Sequence, residues 1–108
     1  MIRAMHLSQD NKLRTDLQPM DVAFALQDAD GLLWVDLEDS PPQESEPLLT
    51  ETFGFHPLAV RNALGEEGSP KISEWGEYLY VVIHAIVLEN DDASRLHTRE
   101  LDIFLGKN

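Results

Sequence analysis

The stretch FGFHPLAVRNAL, Phe53 to Leu64, holds a helix end, a sharp corner and the start of a second helix in twelve residues. Gly54 can take the left-handed conformation that closes a helix. Pro57 suits the first turn of the next one, where its missing N–H would be unpaired anyway. Leu58, Ala59, Ala63 and Leu64 recur at helical spacing, and Gly65 offers a stop. A corner this tight dictates how two helices meet and where the chain goes next.

Upstream, Met1 to Leu7 reads as a strand, Gln9 to Asn11 as a turn, and Lys12 to Leu17 as a returning strand. Pro19 opens a short helix over Met20 to Gln27, with Val22, Ala23 and Leu26 on one side. Leu32 to Leu37 (LLWVDL) reads as a buried strand. Pro41 and Pro42 mark a loop over Glu38 to Glu44, after which Ser45 can cap a helix carrying Leu48, Leu49, Thr52 and Phe53 on one face. Downstream of the corner, Gly65 to Pro70 is a loop and Lys71 to Trp75 a short strand. Tyr78 to Leu88 is the main strand and is apolar on both faces, which places it in the middle of a sheet under helices. Thr98 to Leu105 returns, with Leu101, Ile103 and Leu105 expected inward and Glu100 and Asp102 outward. The expected class is α/β (α+β): a mixed sheet with short helices packed on it. Gly106 to Asn108 is turn chemistry, so the expectation is a fragment that stops before another strand.

A chain of 108 residues makes one domain at most, here 1–108. It has no cysteine, which removes disulfides, thiolate metal sites and thiol nucleophiles. The apolar run Tyr78 to Leu88 is interrupted by His84 and is too short to span a bilayer. No basic-then-apolar leader opens the chain, so secretion is not indicated and a cytoplasmic segment is expected. Twenty acidic residues against eight basic ones give a formal charge of −12. That argues against nucleic acid, whose phosphates need Lys and Arg, and against an anionic membrane surface. Between Thr15 and Val60 there is no Lys or Arg, while ten Asp and Glu fall there. Such a field keeps a domain soluble and can attract divalent cations, but diffuse charge is not a site.

Individual candidates read as structural. Asp36, Glu38 and Asp39 follow a buried strand but lack the spaced ligands and glycine of a calcium loop. Histidines 6, 56, 84 and 97 form no pair with metal-ligand spacing. His56 is expected to satisfy backbone groups at the corner, and His84 to be a half-buried, hydrogen-bonded strand residue. Trp34, Trp75 and Tyr78 are expected as packing residues. No phosphate-cradling glycine loop and no nucleophile pair occurs. The site residues expected are therefore catalytic none, cofactor-binding none and metal none.

FGFHPLAV followed by NAL, Pro70 with Lys71, WGEYLYVVIHAIVL and TRELDIFLGKN, preceded by LWVDLED at Leu33 to Asp39, resembles the cytoplasmic N-terminal domain of CorA-type magnesium transporters. The resemblance covers about Leu32 to Asn108, roughly 70% of the chain. It implies a regulatory and scaffold portion of a divalent cation transporter: a pentamer with neighbouring subunits as partners, set in the cell (inner) membrane through a C-terminal region beyond Asn108. Magnesium, or a related cation, is then the cargo of the full-length protein, and the fragment itself transports nothing. In such transporters an acidic pair usually follows FG-x-HPL-x-x, and its aspartate helps bind a regulatory magnesium between subunits. Here the pair is Arg61 and Asn62, and the usual HQRPK-like loop is altered over Gly65 to Lys71. The sensor site is not carried over. Arg61 and Asn62 then read either as exposed helix positions or as an ion pair to a neighbouring subunit in place of the metal. A free-standing interaction module of the same fold is the alternative; an enzyme is the least favoured class.

Overall fold

Strand LLWVDL lies against the first strand of the chain, not against its sequence neighbour. In the computed structural model, which describes residues 1–65 and 68–108, β1 (Ile2–Leu7) pairs antiparallel with β3 (Leu32–Leu37) along its whole length, from Ile2 opposite Leu37 to Leu7 opposite Leu32. The returning strand β2 shrinks to Leu13–Arg14. Between β2 and β3 runs α1 (Pro19–Leu26), entered through Pro19 and held at its start by the Gln18 N–H donating to the Asp21 carboxylate at 3.0 Å. The first sheet has the order β2-β1-β3.

The described residues divide into two compact units, Met1–Val60 with Asn108, and Arg61–Lys107. In the first unit, Ala4, Leu17, Val22, Ala25 and Leu48 form the buried core, flanked by Ile2, Leu33, Val35, Leu37 and Phe53. Each fully buried Val or Leu contributes roughly 1.5–3 kcal/mol. Asn108 returns to this unit. Its Nδ2 donates to the Leu26 and Asp28 carbonyls at 2.9 and 3.0 Å, and its carbonyl oxygen accepts from the Leu33 N–H at 2.6 Å.

The helix expected to start at Ser45 begins earlier. α2 spans Pro42–Pro47, with Pro41 as its N-cap residue, and Ser45 is 1% exposed inside it. The two prolines open the helix instead of closing a loop, because proline's fixed φ suits a first turn. Pro47 lacks an N–H, so one rung is missing. Directly after it the chain widens into a π turn, Leu48–Thr52, in which the Phe53 N–H bonds the Leu48 carbonyl at 3.0 Å. Gly54 then takes φ +72° and reverses the chain. The Phe55 N–H reaches back to the Leu49 carbonyl at 3.0 Å, one residue further than in an α-helical Schellman close. α3 (Pro57–Leu64) follows, with the His56 Nδ1 accepting the Leu58 N–H at 3.1 Å, the backbone role expected of that histidine.

In the second unit β4 (Lys71–Glu74), β5 (Leu79–Leu88) and β6 (Leu96–Leu105) form an antiparallel sheet with β5 in the middle, as expected. The α/β class stands, with short helices and two small sheets. All strand pairings among the described residues are antiparallel. No helix among them is long and apolar enough to cross a membrane. Part of the expected Gly65–Pro70 loop, residues 66 and 67, lies outside the described residues.

Candidate functional site

Antiparallel partners share a face, so the register of the second sheet decides which side chains meet. Val82 stands opposite Asp102, His84 opposite Glu100 and Tyr80 opposite Phe104. Tyr80 and Val82 are 1% and 2% exposed. Glu100 and Asp102 therefore point to the covered face, and Leu101 and Leu105, 52% and 58% exposed, to the open one. This reverses the inward and outward sides expected for β6. The acids tolerate the covered side because each finds partners there. The Tyr80 hydroxyl donates to the Asp102 carboxylate at 3.0 Å, the Gly68 N–H donates to the Glu100 carboxylate at 2.7 Å, and His84 Nε2 lies 3.6 Å from Glu100. That last separation is an ion-pair distance and exceeds a hydrogen bond, so His84 is half-buried as expected but not bonded through Nε2.

Two groups here depart from their ordinary acidities. Burial, first, and then the neighbouring Asp102 charge push the Tyr80 hydroxyl well above the usual tyrosine range. Burial likewise pushes Asp102 up to about 6, against the opposing hydrogen bond from Tyr80; sharing with Glu100 adds to the rise.

A cavity of about 290 Å3 opens over this face, lined by Arg61, Asn62, Gly68, Lys71, Tyr80 and Glu100 among others. The last turn of α3 delivers Arg61 and Asn62, and the first residue of β4 delivers Lys71, whose Nζ stands 5.7 Å from the Tyr80 ring centroid. The lining is of mixed sign, with the two cations Arg61 and Lys71 and the one carboxylate of Glu100. Among the described residues no group of three or more His, Cys, Asp or Glu is placed to hold a metal ion. A magnesium ion beside Asn62 would have Arg61 and Lys71 lining the same cavity. The donor set at this place suits an anion or a hydrogen-bonding group better than a hard cation.

The other candidates separate. Asp36 and Glu38 are taken by Arg3 at 2.7 and 3.0 Å. His6 Nε2 lies 3.2 Å from Asp28. Trp34, expected in the packing, is 62% exposed, because the face of β3 that packs is the one bearing Leu33, Val35 and Leu37. Trp75 and Tyr78 are half-buried, as expected, and the Tyr78 ring lies 6.0 Å from Phe104. The Tyr80, His84, Glu100 and Asp102 cluster was not singled out by residue type. Alternation places Tyr80 with His84, and Glu100 with Asp102, but only the cross-strand register brings the two pairs together.

A family model described as "CorA-like Mg2+ transporter protein" matches residues 29–108. The chain is also similar to a protein of Bacillus subtilis (strain 168) named "Putative metal ion transporter YfjQ", at 36% identity over 74 residues. Those residues are 68% of this chain and 21% of that protein, so the chain matches about a fifth of the relative's length. With the matched span running through the corner at Gly54, α3 and the whole second sheet, the chain belongs to the CorA-like Mg2+ transporter family.

Proposed function

We propose that these residues are the N-terminal, cytoplasm-facing regulatory and assembly portion of a CorA-like divalent cation transporter. The observation that carries this is the family match over residues 29–108, which takes in both units of the fold. In this reading the segment conducts nothing itself. It joins neighbouring subunits and relays their arrangement to a pore formed elsewhere in the protein, by favouring one of two global states. The Arg61 and Asn62 cavity is the point at which this relay departs from a magnesium-sensing one. Arg61 there meets an acidic group of a neighbouring subunit in place of a shared cation.

The test uses the longest protein encoded by the gene. It is reconstituted in vesicles, and magnesium entry is followed with and without residues 1–108. The expected result is entry in both forms, with the dependence on internal magnesium altered by the deletion. A coding sequence with no bilayer-crossing segments, or entry whose regulation ignores the deletion, would overturn the proposal.

A further inference from the structure

β3 ends the first sheet. In the order β2-β1-β3 it has β1 on one side and, among the described residues, no strand on the other. Along an antiparallel strand, alternate residues turn their N–H and C=O groups to opposite sides. The Leu33 N–H points away from β1 and donates to the Asn108 carbonyl oxygen at 2.6 Å. The Glu38 N–H, turned the other way, bonds the Met1 carbonyl at 3.0 Å. Val35 and Leu37 therefore face the same side as Leu33, and their N–H and C=O groups have no backbone partner there among the described residues. The strand carries no proline and no lysine to block this edge. An apolar edge left bare is a template for another strand.

Asn108 is already seated on that edge. Its Nδ2 donates to the Leu26 and Asp28 carbonyls at 2.9 and 3.0 Å, which pins the residue beside the start of β3. An antiparallel pair would return the Asn108 N–H to the Leu33 carbonyl, and among the described residues that bond is not made. The single bond from Leu33 is instead the first rung of a parallel ladder. A chain leaving Asn108 in that sense runs along β3 towards Leu37. The second residue after Asn108 then donates to the Leu33 carbonyl and accepts from the Val35 N–H, and the fourth does the same for Val35 and Leu37. An antiparallel course would lead away towards Gly31 and leave both open.

We propose that the open edge of β3 is the docking site of the segment that follows Asn108 in the full-length protein, laid parallel to β3 as a fourth strand of the first sheet. This rests on the reading of the chain as a portion of a longer transporter, which the match to about a fifth of the relative's length supports. Leu33, Val35 and Leu37 pack their side chains against the core of the first unit. Alternate residues of the added strand extend that packed face.

The test is amide hydrogen exchange, residue by residue, on the 108-residue chain and on the same chain carrying the next about ten residues encoded by the gene. In the 108-residue chain the Val35 and Leu37 amides should exchange at least about tenfold faster than those of Trp34 and Asp36, which face β1. In the longer chain they should slow by about tenfold or more, with Trp34 and Asp36 unchanged as the sign that the sheet is folded in both. Val35 and Leu37 amides that exchange alike in the two chains would overturn the proposal. So would protection that appears in the 108-residue chain as its concentration rises, because a second copy would then be the occupant. A coding sequence that ends at Asn108 would remove the transporter reading together with this one. Bilayer-crossing segments downstream, with Val35 and Leu37 still open in the longer chain, would remove this one alone.

Discussion

The hydroxyl of Tyr80 donates to the carboxylate of Asp102 across β5 and β6 at 3.0 Å, on the covered face of the second sheet. Asp102 holds its proton up to about pH 6, chiefly because burial penalises its charge. In the unfolded chain it releases that proton near 3.8. The native state therefore binds the proton more tightly. The stability this adds is complete below about pH 4 and is lost as pH rises through about 6. At full strength the displacement corresponds to about 3 kcal/mol, but the group is partly solvated and screening reduces it to about 1 kcal/mol. Unfolding free energies from urea titration at pH 4.5 and 7.5 should differ by that amount more in the parent chain than in Asp102→Asn, whose side chain keeps the acceptor oxygen and cannot titrate.

Removing the other partner has the opposite signature. Tyr80→Phe keeps the ring stacked on Phe104, 4.9 Å between centroids, and deletes only the hydroxyl. The hydrogen bond from Tyr80 is the largest influence that lowers the Asp102 pKa, so its loss should move the Asp102 titration upward. A carboxyl carbon NMR titration reads this directly. The stability cost at neutral pH should be about 1–2 kcal/mol, since an acceptor on the covered face loses its donor. An unchanged titration would mean that the bond contributes nothing in solution.

How much of this was legible in the residues follows from the range of each signal. The corner at Gly54 and Pro57, the strand LLWVDL and the middle position of LYVVIHAIVL were legible because glycine, proline and apolar runs act over a few residues. Which face of a strand is covered was not. Alternation separates Leu101 from Asp102 but does not say which side meets another element, so the pattern alone puts β6 inside out and Trp34 in the packing. The start of α2 is hidden for a related reason. Pro41 and Pro42 carry the same local signature whether they end a loop or begin a helix. The polar cluster on β5 and β6 depends on a register between residues about 20 apart, which no local pattern encodes.

Two glycines should respond to alanine in different ways. At Gly54, φ is +72° and an added Cβ would meet nothing within 4 Å. Gly54→Ala should therefore cost only the left-handed backbone penalty, about 1 kcal/mol. At Gly31 an added Cβ would stand 2.5 Å from the Asp28 Oδ2 and 2.8 Å from the Leu7 carbonyl. Asp28 cannot simply move away, because the same oxygen accepts the Gln9 N–H at 3.1 Å. Gly31→Ala should cost about 2–3 kcal/mol through overpacking. Thermal melts of the two variants would order them, and a Gly54→Ala loss exceeding that of Gly31→Ala would contradict the geometry.

Magnesium should bind the isolated chain weakly. Arg61 and Asn62 share their cavity with Lys71, so the first influences on an approaching cation include two positive charges. Replacing an acidic pair by Arg and Asn changes the local charge by three, and each unit charge at ~4–6 Å is worth roughly 1 kcal/mol to a few near a protein surface. Calorimetric titration should show no saturable site tighter than about 1 mM. The double variant Arg61→Glu with Asn62→Asp reverses the charge without touching the buried residues of α3, Ala59 and Val60. It should bind magnesium at least about tenfold more tightly than the parent, since a gain above 1.4 kcal/mol is expected from the charge change alone. A micromolar site in the parent would show that the cations at 61 and 71 do not govern this surface. A double variant that gains nothing would show that the end of α3 does not face a place where a cation can be coordinated.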